Sequence, residues 1–263
     1  MNKRLVHGNE TTYFVISVIY SIFVYFILLI SIIGIPYLLL ILLVSFIING
    51  LFIANIRNNG VKVTEKQFPK IAHRTREIAN NMGLIKVPDV FIIQSGGLLN
   101  AFATKFFGRN FVVLYSDIVE IIEQGNDEEL EFIIAHELAH VKRRHVTKNT
   151  LLLPAMYTPF LGKAYSRACE YTCDRMAAIY TGNINASINA LMILASGKYL
   201  YDQVNLEEYI SQQRMEGGFF IWLSHITSTH PPLPHRIQKM KHISDAPEFY
   251  GFSTNDFRKE PIA

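Results

Sequence analysis

The stretch FIIAHELAHVKRRH, Phe132–His145, determines the fold more than any other part of this chain. It is preceded by Asn126, a residue type that favours helix N-caps, and by several acidic residues. Lys142 and two arginines stand at its C-terminal end. This charge order complements the dipole of a helix at both ends. We therefore predict one helix from about Asp127 to Arg144, buried because its middle is apolar on most sides.

The spacing of the histidines in this helix indicates a metal site. His136 and His140 lie four residues apart, so at about 100° per residue their imidazoles point the same way. Glu137 is offset by one residue's rotation, so it can reach water beside a metal without binding the metal. Two neutral nitrogen ligands and a proton-accepting carboxylate are what zinc-dependent hydrolysis requires. The alternative is a buried helix whose histidines merely pair with carboxylates.

Two candidates exist for the third ligand. His145 lies five residues past His140, a rotation of about 140° on a continuous helix, so we expect a surface histidine that faces away from the metal. The other candidate is a second predicted helix, Tyr165–Tyr180, with Glu170 and Asp174 one turn apart. Glu170 can bind the metal while Asp174 accepts a hydrogen bond from a ligand histidine.

Other interpretations of the second helix stay open at this point. Its carboxylates can form a solvated acidic edge paired with Arg167 and Arg175. Cys169 and Cys173 can be soft zinc ligands, but we prefer packing residues because thiols beside a carboxylate would make an unusual site. These are the only two cysteines, so no disulfide framework is implied.

The N-terminal part of the chain predicts a membrane anchor. No residue between Glu10 and Arg57 is charged, and Gly34 interrupts the apolar run. The segments Tyr13–Ile33 and Ile35–Ala54 are each long enough to cross a bilayer core of about 30 Å. We predict two transmembrane helices within residues 1–56, rather than a signal peptide or one anchor helix followed by a buried helix.

Positive residues flank both ends of this anchor, with Lys3 and Arg4 before it and Arg57 and two lysines after it. Because cytoplasmic flanks of membrane helices carry an excess of Lys and Arg, both ends are expected in the cytoplasm. The chain is then a multi-pass protein of the cell membrane whose residues 57–263 form a cytoplasmic catalytic domain. The net charge of +3 comes from scattered residues, so no nucleic-acid partner is expected.

The pattern after the anchor is mixed at first and then mostly helical. An amphipathic helix is predicted over Thr64–Met82, with Thr64 as its N-cap, and strands over Asp89–Gln94 and Phe111–Tyr115. Together with Asn100–Thr104 these strands indicate a small sheet of about three strands. The fold class is therefore α+β and mostly helical: a transmembrane helical hairpin followed by a domain with a small β-sheet.

Four segments, in this order, resemble the HtpX and CAAX prenyl protease family of membrane zinc metallopeptidases with an HExxH motif. They are LNAFAT (Leu99–Thr104), AHELAHVKRRH (Ala135–His145), SRACEYTCDRMA (Ser166–Ala177) and THPPLPHRI (Thr229–Ile237). The resemblance covers about residues 60 to 243. It implies a gluzincin-like domain, in which a glutamate is the third ligand, and one Zn²⁺ per chain.

The resemblance also implies roles for the residues of the metal site. His136, His140 and Glu170 are implied as zinc ligands, and Glu137 as the general base. Asp174 is implied as the residue that orients a ligand histidine, most simply His136. These roles agree with the helix geometry above.

Two further elements acquire a function only through the resemblance. His230 is implied to donate to the oxyanion of the reaction, supported by Arg236. Without the family, this segment would be interpreted as a Pro-rich turn that starts a helix. An edge strand that pairs with an extended peptide is also implied, formed by Asn100, Ala101, Phe102 and Ala103.

This chain departs from the family in two places. HtpX-type proteins carry another membrane pair between the two motif helices, but here Leu151–Tyr165 is too short and contains two prolines, so we predict a buried or membrane-facing loop near the active site. The prenyl protease's membrane chamber has no counterpart, so CAAX processing is not expected. Lys105 stands where the family often has glycine.

Elsewhere, Gly217–Ile226 is predicted as a buried helix, with a position at the membrane interface as the alternative.

These features predict a membrane-anchored zinc endopeptidase that cleaves unfolded or membrane-associated proteins on the cytoplasmic side, in quality control or regulatory proteolysis. Its expected partners are a polypeptide bound as an extended strand and the lipid bilayer, and no oligomeric state is predicted. A zinc-bound scaffold or adaptor without protease activity is the alternative, although Glu137 is present. A zinc hydrolase of small molecules is disfavoured by the predicted edge strand, since small substrates need a closed pocket.

Overall fold

Two long apolar helices begin the chain in the computed structural model, which describes residues 5–94, 96–121 and 125–250. They are α1 (Gly8–Ile30) and α2 (Gly34–Asn59), and among the described residues these two are long and apolar enough to cross a membrane. A Cβ on Gly34 would lie 2.2 Å from the carbonyl oxygen of Leu28, so the tight turn between the helices requires glycine. The predicted hairpin is confirmed, while Lys3 and Arg4 lie outside the described residues.

The sheet has four strands rather than the predicted three. A short additional strand pairs at one edge, and the central pair is parallel while the outer pairs are antiparallel. The strands, which stand in the order β1-β2-β4-β3, are β1 (Val61–Lys62), β2 (Asp89–Ile93), β3 (Ala101–Phe106) and β4 (Arg109–Tyr115). The free edge on the β3 side is therefore the edge that the sequence predicts.

Helices make up most of the rest of the domain, and the core forms where α5 and α8 pack together beneath the sheet. Leu138, Met176 and Leu114, from α5, α8 and β4, are fully buried there. The helices are α3 (Pro69–Asn81), α4 (Ser116–Val119), α5 (Asp127–Lys142), α6 (His145–Leu151), α7 (Leu153–Tyr157), α8 (Leu161–Thr181), α9 (Ile184–Ser196), α10 (Leu206–Met215), α11 (Phe219–Thr227) and α12 (Leu233–Asp245). The predicted α+β, mostly helical fold is confirmed.

The helix of the HELAH motif ends two residues earlier than predicted. Arg144 has a left-handed backbone with φ of 56°, which breaks the helix and starts α6 at His145. His145 is therefore not on the continuous helix that the sequence predicts. It turns back into the protein and is 2% exposed, so the prediction of a surface histidine is wrong.

The predicted helix over Thr64–Met82 begins five residues later, at Pro69. Thr64 and Gln67 exchange two backbone hydrogen bonds, at 2.8 and 3.0 Å, and so form a turn rather than a helical N-cap. The helix then starts on proline, whose missing N–H costs nothing in the first turn. It ends at Asn81, close to the predicted position.

The segment Gly217–Ile226 forms α11, but the prediction that it is buried is wrong. The described structure leaves no residue of α11 buried, and Phe220 and Trp222 are 79% and 54% exposed. The helix is fixed mainly at its C-terminal end, where Arg167 donates to the carbonyl oxygens of Ile226 and Ser228. Apolar composition alone therefore did not indicate burial here.

The shortened segment between the motif helices folds against the first apolar helix. It contains α6, α7 and the start of α8, and the Tyr25 hydroxyl of α1 donates to the carbonyl oxygen of Leu151 at 3.2 Å. Ala155 is buried against α1, whereas Leu151 and Tyr157 are 66% and 81% exposed. The segment is thus partly buried against α1 and is helical, whereas the sequence predicts a loop.

Candidate metal centre

Helices α5 and α8 bring three ligand-type side chains together. The Nε2 atoms of His136 and His140 lie 3.2 Å apart. Glu170 of α8 reaches across, with Oε2 3.2 Å from His136 Nε2 and Oε1 3.3 Å from His140 Nε2. The helical spacing of the sequence and the packing of α8 on α5 together produce this cluster.

The cluster fits a divalent metal ion. Ligands about 2.0–2.1 Å from a tetrahedral zinc ion are separated by about 3.3 Å, close to the observed spacings. Oε2 of Glu170 is buried and accepts no well-aligned hydrogen bond from the described residues, so its lone pairs are available to a cation. Two imidazoles and one carboxylate form a donor set typical of zinc and similar transition metals.

The electrostatics of the cluster favour a positive charge at its centre. Burial alone would keep His136 neutral, but hydrogen bonds and charges from Asp174 and Glu170 outweigh it and raise the pKa of His136 to about 10. Burial opposes ionisation of Glu170 as well, yet the two histidines hold its pKa well below its ordinary value. The carboxylates beside His136 thus favour a positive charge at the centre of this cluster.

Asp174 lies behind His136, the first candidate ligand. Its Oδ1 lies 2.9 Å from Nδ1 of His136, on the side of the ring away from the metal-binding nitrogen. The sequence prediction has Arg236 as a support for His230, but its two hydrogen bonds go to Asp174, at 2.8 and 2.6 Å. One terminal nitrogen of Arg236 also lies 3.8 Å from Glu170 Oε2. Arg236 therefore orders the carboxylates rather than the loop that carries His230.

His230 stands at the mouth of the cluster. Its Nε2 is 3.6 Å from Glu170 Oε1, and its side chain is 63% exposed. The hydroxyl of Thr229 lies 2.9 Å from His230 Nδ1, and Ser228 bonds to both backbone groups of His230. The loop is held to α8 by Arg167, which the sequence analysis had considered only as the partner of an acidic edge.

One cleft of about 330 Å³ joins these residues to the edge strand. Glu137 lines it beside His136 and His140, and Ala101, Phe102 and Ala103 of β3 form its opposite wall. Asn100 immediately precedes the strand, and its carbonyl oxygen accepts a hydrogen bond from Tyr115 N at 3.0 Å. Eight of the predicted site residues thus line one cleft, whereas Asp174 and Arg236 are buried and do not line it.

The backbone alternation of β3 decides which groups face the cleft. Because residue 100 bonds to β4, the antiparallel pattern directs the N–H and C=O groups of Ala101 and Ala103 to the free edge. The Phe102 ring points to the other face of the sheet, where it contacts Phe52 and Tyr115. Ala103 therefore offers an N–H and a C=O beside the candidate metal cluster, and Ala101 offers a C=O, whereas the N–H of Ala101 donates to Asn100 Oδ1 at 2.9 Å.

The sequence does not predict two residues that lie behind the candidate ligand His140. His145 Nδ1 lies 3.0 Å from His140 Nδ1, and His145 Nε2 lies 3.3 Å from Oε1 of Glu10 in α1. Burial lowers the pKa of His145 to about 4, so the ring is neutral at pH 7. A signal was present in the sequence, since Glu10 is the last charged residue before a long uncharged apolar segment.

The cysteines are free thiols, in agreement with the prediction. Both are buried in α8, and burial raises the pKa of both thiols well above the ordinary value. Cys173 Sγ is 3.6 Å from His145 Nδ1. Protonated thiols are weak metal ligands, which favours the predicted packing role.

Comparison with known proteins supports the same assignment. The family model described as "Peptidase family M48" matches residues 65–158 and 151–244. Curated relatives named "Protease HtpX homolog" from Streptococcus pyogenes, among them serotype M28 (strain MGAS6180) and serotype M5 (strain Manfredo), are each 27% identical over 238 residues and cover 71% of this chain and 77% of the relative. No solved structure matches. The chain belongs to peptidase family M48 and is an HtpX-like membrane metallopeptidase.

Proposed function

We propose that this chain is a zinc endopeptidase of the cell membrane that cleaves unfolded or membrane-associated proteins on the cytoplasmic side, in quality control or regulatory proteolysis. One observation carries the proposal. The candidate metal ligands, Glu137 and the free edge of β3 line a single open cleft. A peptidase needs these three parts within reach of one peptide bond.

His136, His140 and Glu170 would hold one Zn²⁺ per chain. When bound, zinc supplies a Lewis acid that polarises the scissile carbonyl and lowers the pKa of water at the site. Oδ1 of Asp174, 2.9 Å from His136 Nδ1, would accept the proton on that nitrogen and so favour the tautomer in which Nε2 is free to bind metal. Arg236 keeps Asp174 ionised and in place.

Glu137 is the general base in this mechanism. Its carboxylate lies on α5 next to His136, in the same cleft, and is 7% exposed. It takes a proton from the attacking water and then delivers that proton to the nitrogen of the leaving amine. Its fixed position on a buried helix keeps it oriented toward the scissile bond.

His230 supplies a hydrogen bond to the substrate oxygen. Because the Thr229 hydroxyl can donate to Nδ1, the proton of a neutral His230 resides on Nε2, the nitrogen nearer to Glu170. This N–H donates to the carbonyl oxygen as negative charge develops on it during attack. The exposure of the side chain lets it approach once a peptide is bound.

The peptide itself would lie along β3 as an added strand. The outward N–H and C=O groups of Ala103 and the C=O of Ala101 would pair with its main chain, and such pairing accepts many sequences. This mode suits unfolded segments, because an extended chain exposes its main-chain groups. It also disfavours a small-molecule substrate, for which the cleft offers no closed pocket.

Residues 1–56 would anchor the enzyme as two membrane-spanning helices, and residues 57–263 would form the peptidase domain. The positive flanks of the anchor, including Arg57 at the end of α2, support a cytoplasmic location of that domain. Polypeptides that are associated with the same membrane would then reach the cleft without diffusing through bulk solvent.

The test compares the full chain, purified in detergent, with its Glu137→Gln variant. We expect both to retain zinc and the variant to cleave an unfolded protein about 10²–10⁴-fold more slowly, because only proton transfer is lost. Glu131→Gln is the matched control, since Glu131 is also on α5 but pairs with Arg74. Equal cleavage by both proteins, or zinc without cleavage in either, would contradict the mechanism; the second result would favour a zinc-bound scaffold.

A further inference from the structure

We propose that Glu10, on the first transmembrane helix, is a positioning residue for the metal centre, which it reaches through His145 and His140. The inference rests on the metal ligands proposed above and adds a third element, the membrane anchor, to the support of the site. Glu10 and His145 are buried, at 1% and 2% exposure. They are 135 residues apart in the sequence.

The contacts form one continuous chain. Glu10 Oε1 lies 3.3 Å from Nε2 of His145, and Nδ1 of His145 lies 3.0 Å from Nδ1 of His140. The His140 and His145 rings meet edge to face, with centroids 5.0 Å apart. Nε2 of His140, at the other end of the ring, points to the metal cluster.

A single arrangement of protons accounts for every ring nitrogen in this chain of contacts. If Nε2 of His140 binds metal, its Nδ1 carries the proton and donates to Nδ1 of His145. His145 then carries its own proton on Nε2 and donates it to the carboxylate of Glu10. The neutral ring of His145 thus transmits the orientation of Glu10 to the ligand, without any net transfer of charge.

The charge of Glu10 is itself held in place. Arg143, directly after α5, donates to Glu10 Oε1 from Nε at 3.2 Å and from a terminal nitrogen at 2.6 Å. A buried carboxylate without a partner would cost several kcal/mol, so this pairing permits Glu10 to stay ionised beside an apolar helix. The left-handed turn at Arg144 is what places Arg143 and His145 on the same carboxylate.

The two ligand histidines are therefore supported in parallel ways. His136 is backed by Asp174, which Arg236 holds, entirely from within the catalytic domain. The second ligand, His140, contacts His145, which in turn contacts Glu10. Arg143 donates hydrogen bonds to Glu10, whose carboxylate is supplied by α1. A metal centre whose second ligand depends on α1 is complete only when the membrane anchor is docked on the domain.

The first measurement is zinc affinity of the full chain in detergent, by competition with a chelator. Glu10→Gln and His145→Asn should each weaken zinc binding about 10–100-fold, the usual effect of removing such a supporting group. The double variant should lose no more than the more affected single variant, since both changes break one chain of contacts. Glu131→Gln, which breaks an ion pair on the other side of α5, should bind zinc like the wild type.

The second measurement follows the ligand N–H protons in the cobalt-substituted protein, where they give shifted, exchangeable NMR signals. Glu10→Gln should speed the solvent exchange of one of the two signals and leave the other unchanged. Asp174→Asn should affect the opposite signal. A variant that merely loosens the fold would affect both signals, so this pattern separates positioning from general destabilisation.

Three outcomes would overturn the inference. Unchanged zinc affinity and exchange in folded Glu10→Gln and His145→Asn proteins would remove the role of α1 while leaving the peptidase intact. A second zinc ion bound between Glu10, His145 and Cys169, which lie close enough for one, would replace positioning by ligation. A wild-type chain that binds no zinc would instead refute the proposed function. If Glu10→Gln fails to fold, His145→Asn decides alone, because it keeps the ion pair of Glu10 with Arg143.

Discussion

Arg236 of α12 donates two hydrogen bonds to Asp174 of α8, from Nε at 2.8 Å and from a terminal nitrogen at 2.6 Å, and both side chains are buried. This pair joins the C-terminal helix to the metal centre. Because Asp174 also lies 2.9 Å from His136, a change at Arg236 acts on a ligand that it does not bind. We therefore expect a change in this pair to affect both stability and metal binding.

Replacing Arg236 by methionine should destabilise the protein by about 3–5 kcal/mol, because Asp174 is left as a buried carboxylate without its partner. Urea unfolding of the detergent-solubilised chain measures the change. Lys241→Met is the control, since Lys241 forms a surface pair with Glu207 that contributes about 0–1 kcal/mol. A similar loss in both variants would show that Asp174 does not depend on Arg236.

Replacing Ala103 by proline should reduce kcat/KM for an unfolded substrate about tenfold, mainly through KM. Proline removes an N–H that faces the free edge, so β3 keeps its ladder with β4 but loses a hydrogen bond to the peptide. Ala103→Gly keeps the N–H and should change kcat/KM far less. If the proline variant cleaves like the wild type, the proposal that the peptide pairs with β3 is refuted.

The membrane hairpin can be tested by labelling its turn. Ile32 is 91% exposed between α1 and α2, whereas both native cysteines are buried. A membrane-impermeant maleimide should label Ile32→Cys in intact cells, because two spans place this turn outside the cell. Lys239→Cys, on the catalytic domain, should be labelled only after lysis. Labelling of Lys239→Cys in intact cells would reverse the proposed orientation.

Replacing Glu129 by glutamine should stabilise the protein at neutral pH. Burial raises the pKa of Glu129 above its ordinary value, although Asn189 donates a hydrogen bond to it at 3.1 Å. A raised carboxyl pKa in the folded state means that ionisation penalises folding, and the penalty grows as pH rises from the unfolded pKa through the folded one.

Thermal melts over a pH series check this expectation. The Tm of Glu129→Gln should exceed that of the wild type at pH 7, and the two should converge below about pH 4, where the carboxyl is protonated in both folded and unfolded chains. Glu131→Gln, which removes an ion pair with Arg74, should change Tm in the opposite direction at pH 7. A Tm difference for Glu129→Gln that is independent of pH would show that burial of its charge is not the cause.

Much of the fold and the site was predictable because it depends on local geometry. The relative directions of His136, Glu137 and His140 follow from helical periodicity, and the same periodicity places Glu170 one turn before Asp174. The two apolar helices follow from composition and length. The edge strand was expected where β3 is found, although its free main-chain groups could be assigned only from its register with β4.

Other features were predicted wrongly or not at all, because they depend on tertiary structure rather than on a local sequence pattern. The position of His145 depends on one backbone angle at Arg144, which a helical pattern does not indicate. The exposure of α11 depends on the absence of a packing partner among the described residues, and apolar sequence looks the same in both situations.

The sequence by itself determined that His136, Glu137 and His140 share one side of a helix, because helix geometry relates residues three and four positions apart whatever surrounds them. Glu170 was assigned to the same cluster through the family resemblance, and the packing of α8 on α5 brings it there. Only the tertiary structure decided what supports that cluster. Arg236 pairs with Asp174 across 62 residues of sequence, and Glu10 meets His145 across 135. Such contacts arise from the packing of whole helices, whose relative positions depend on the sum of many small apolar contacts rather than on any local pattern.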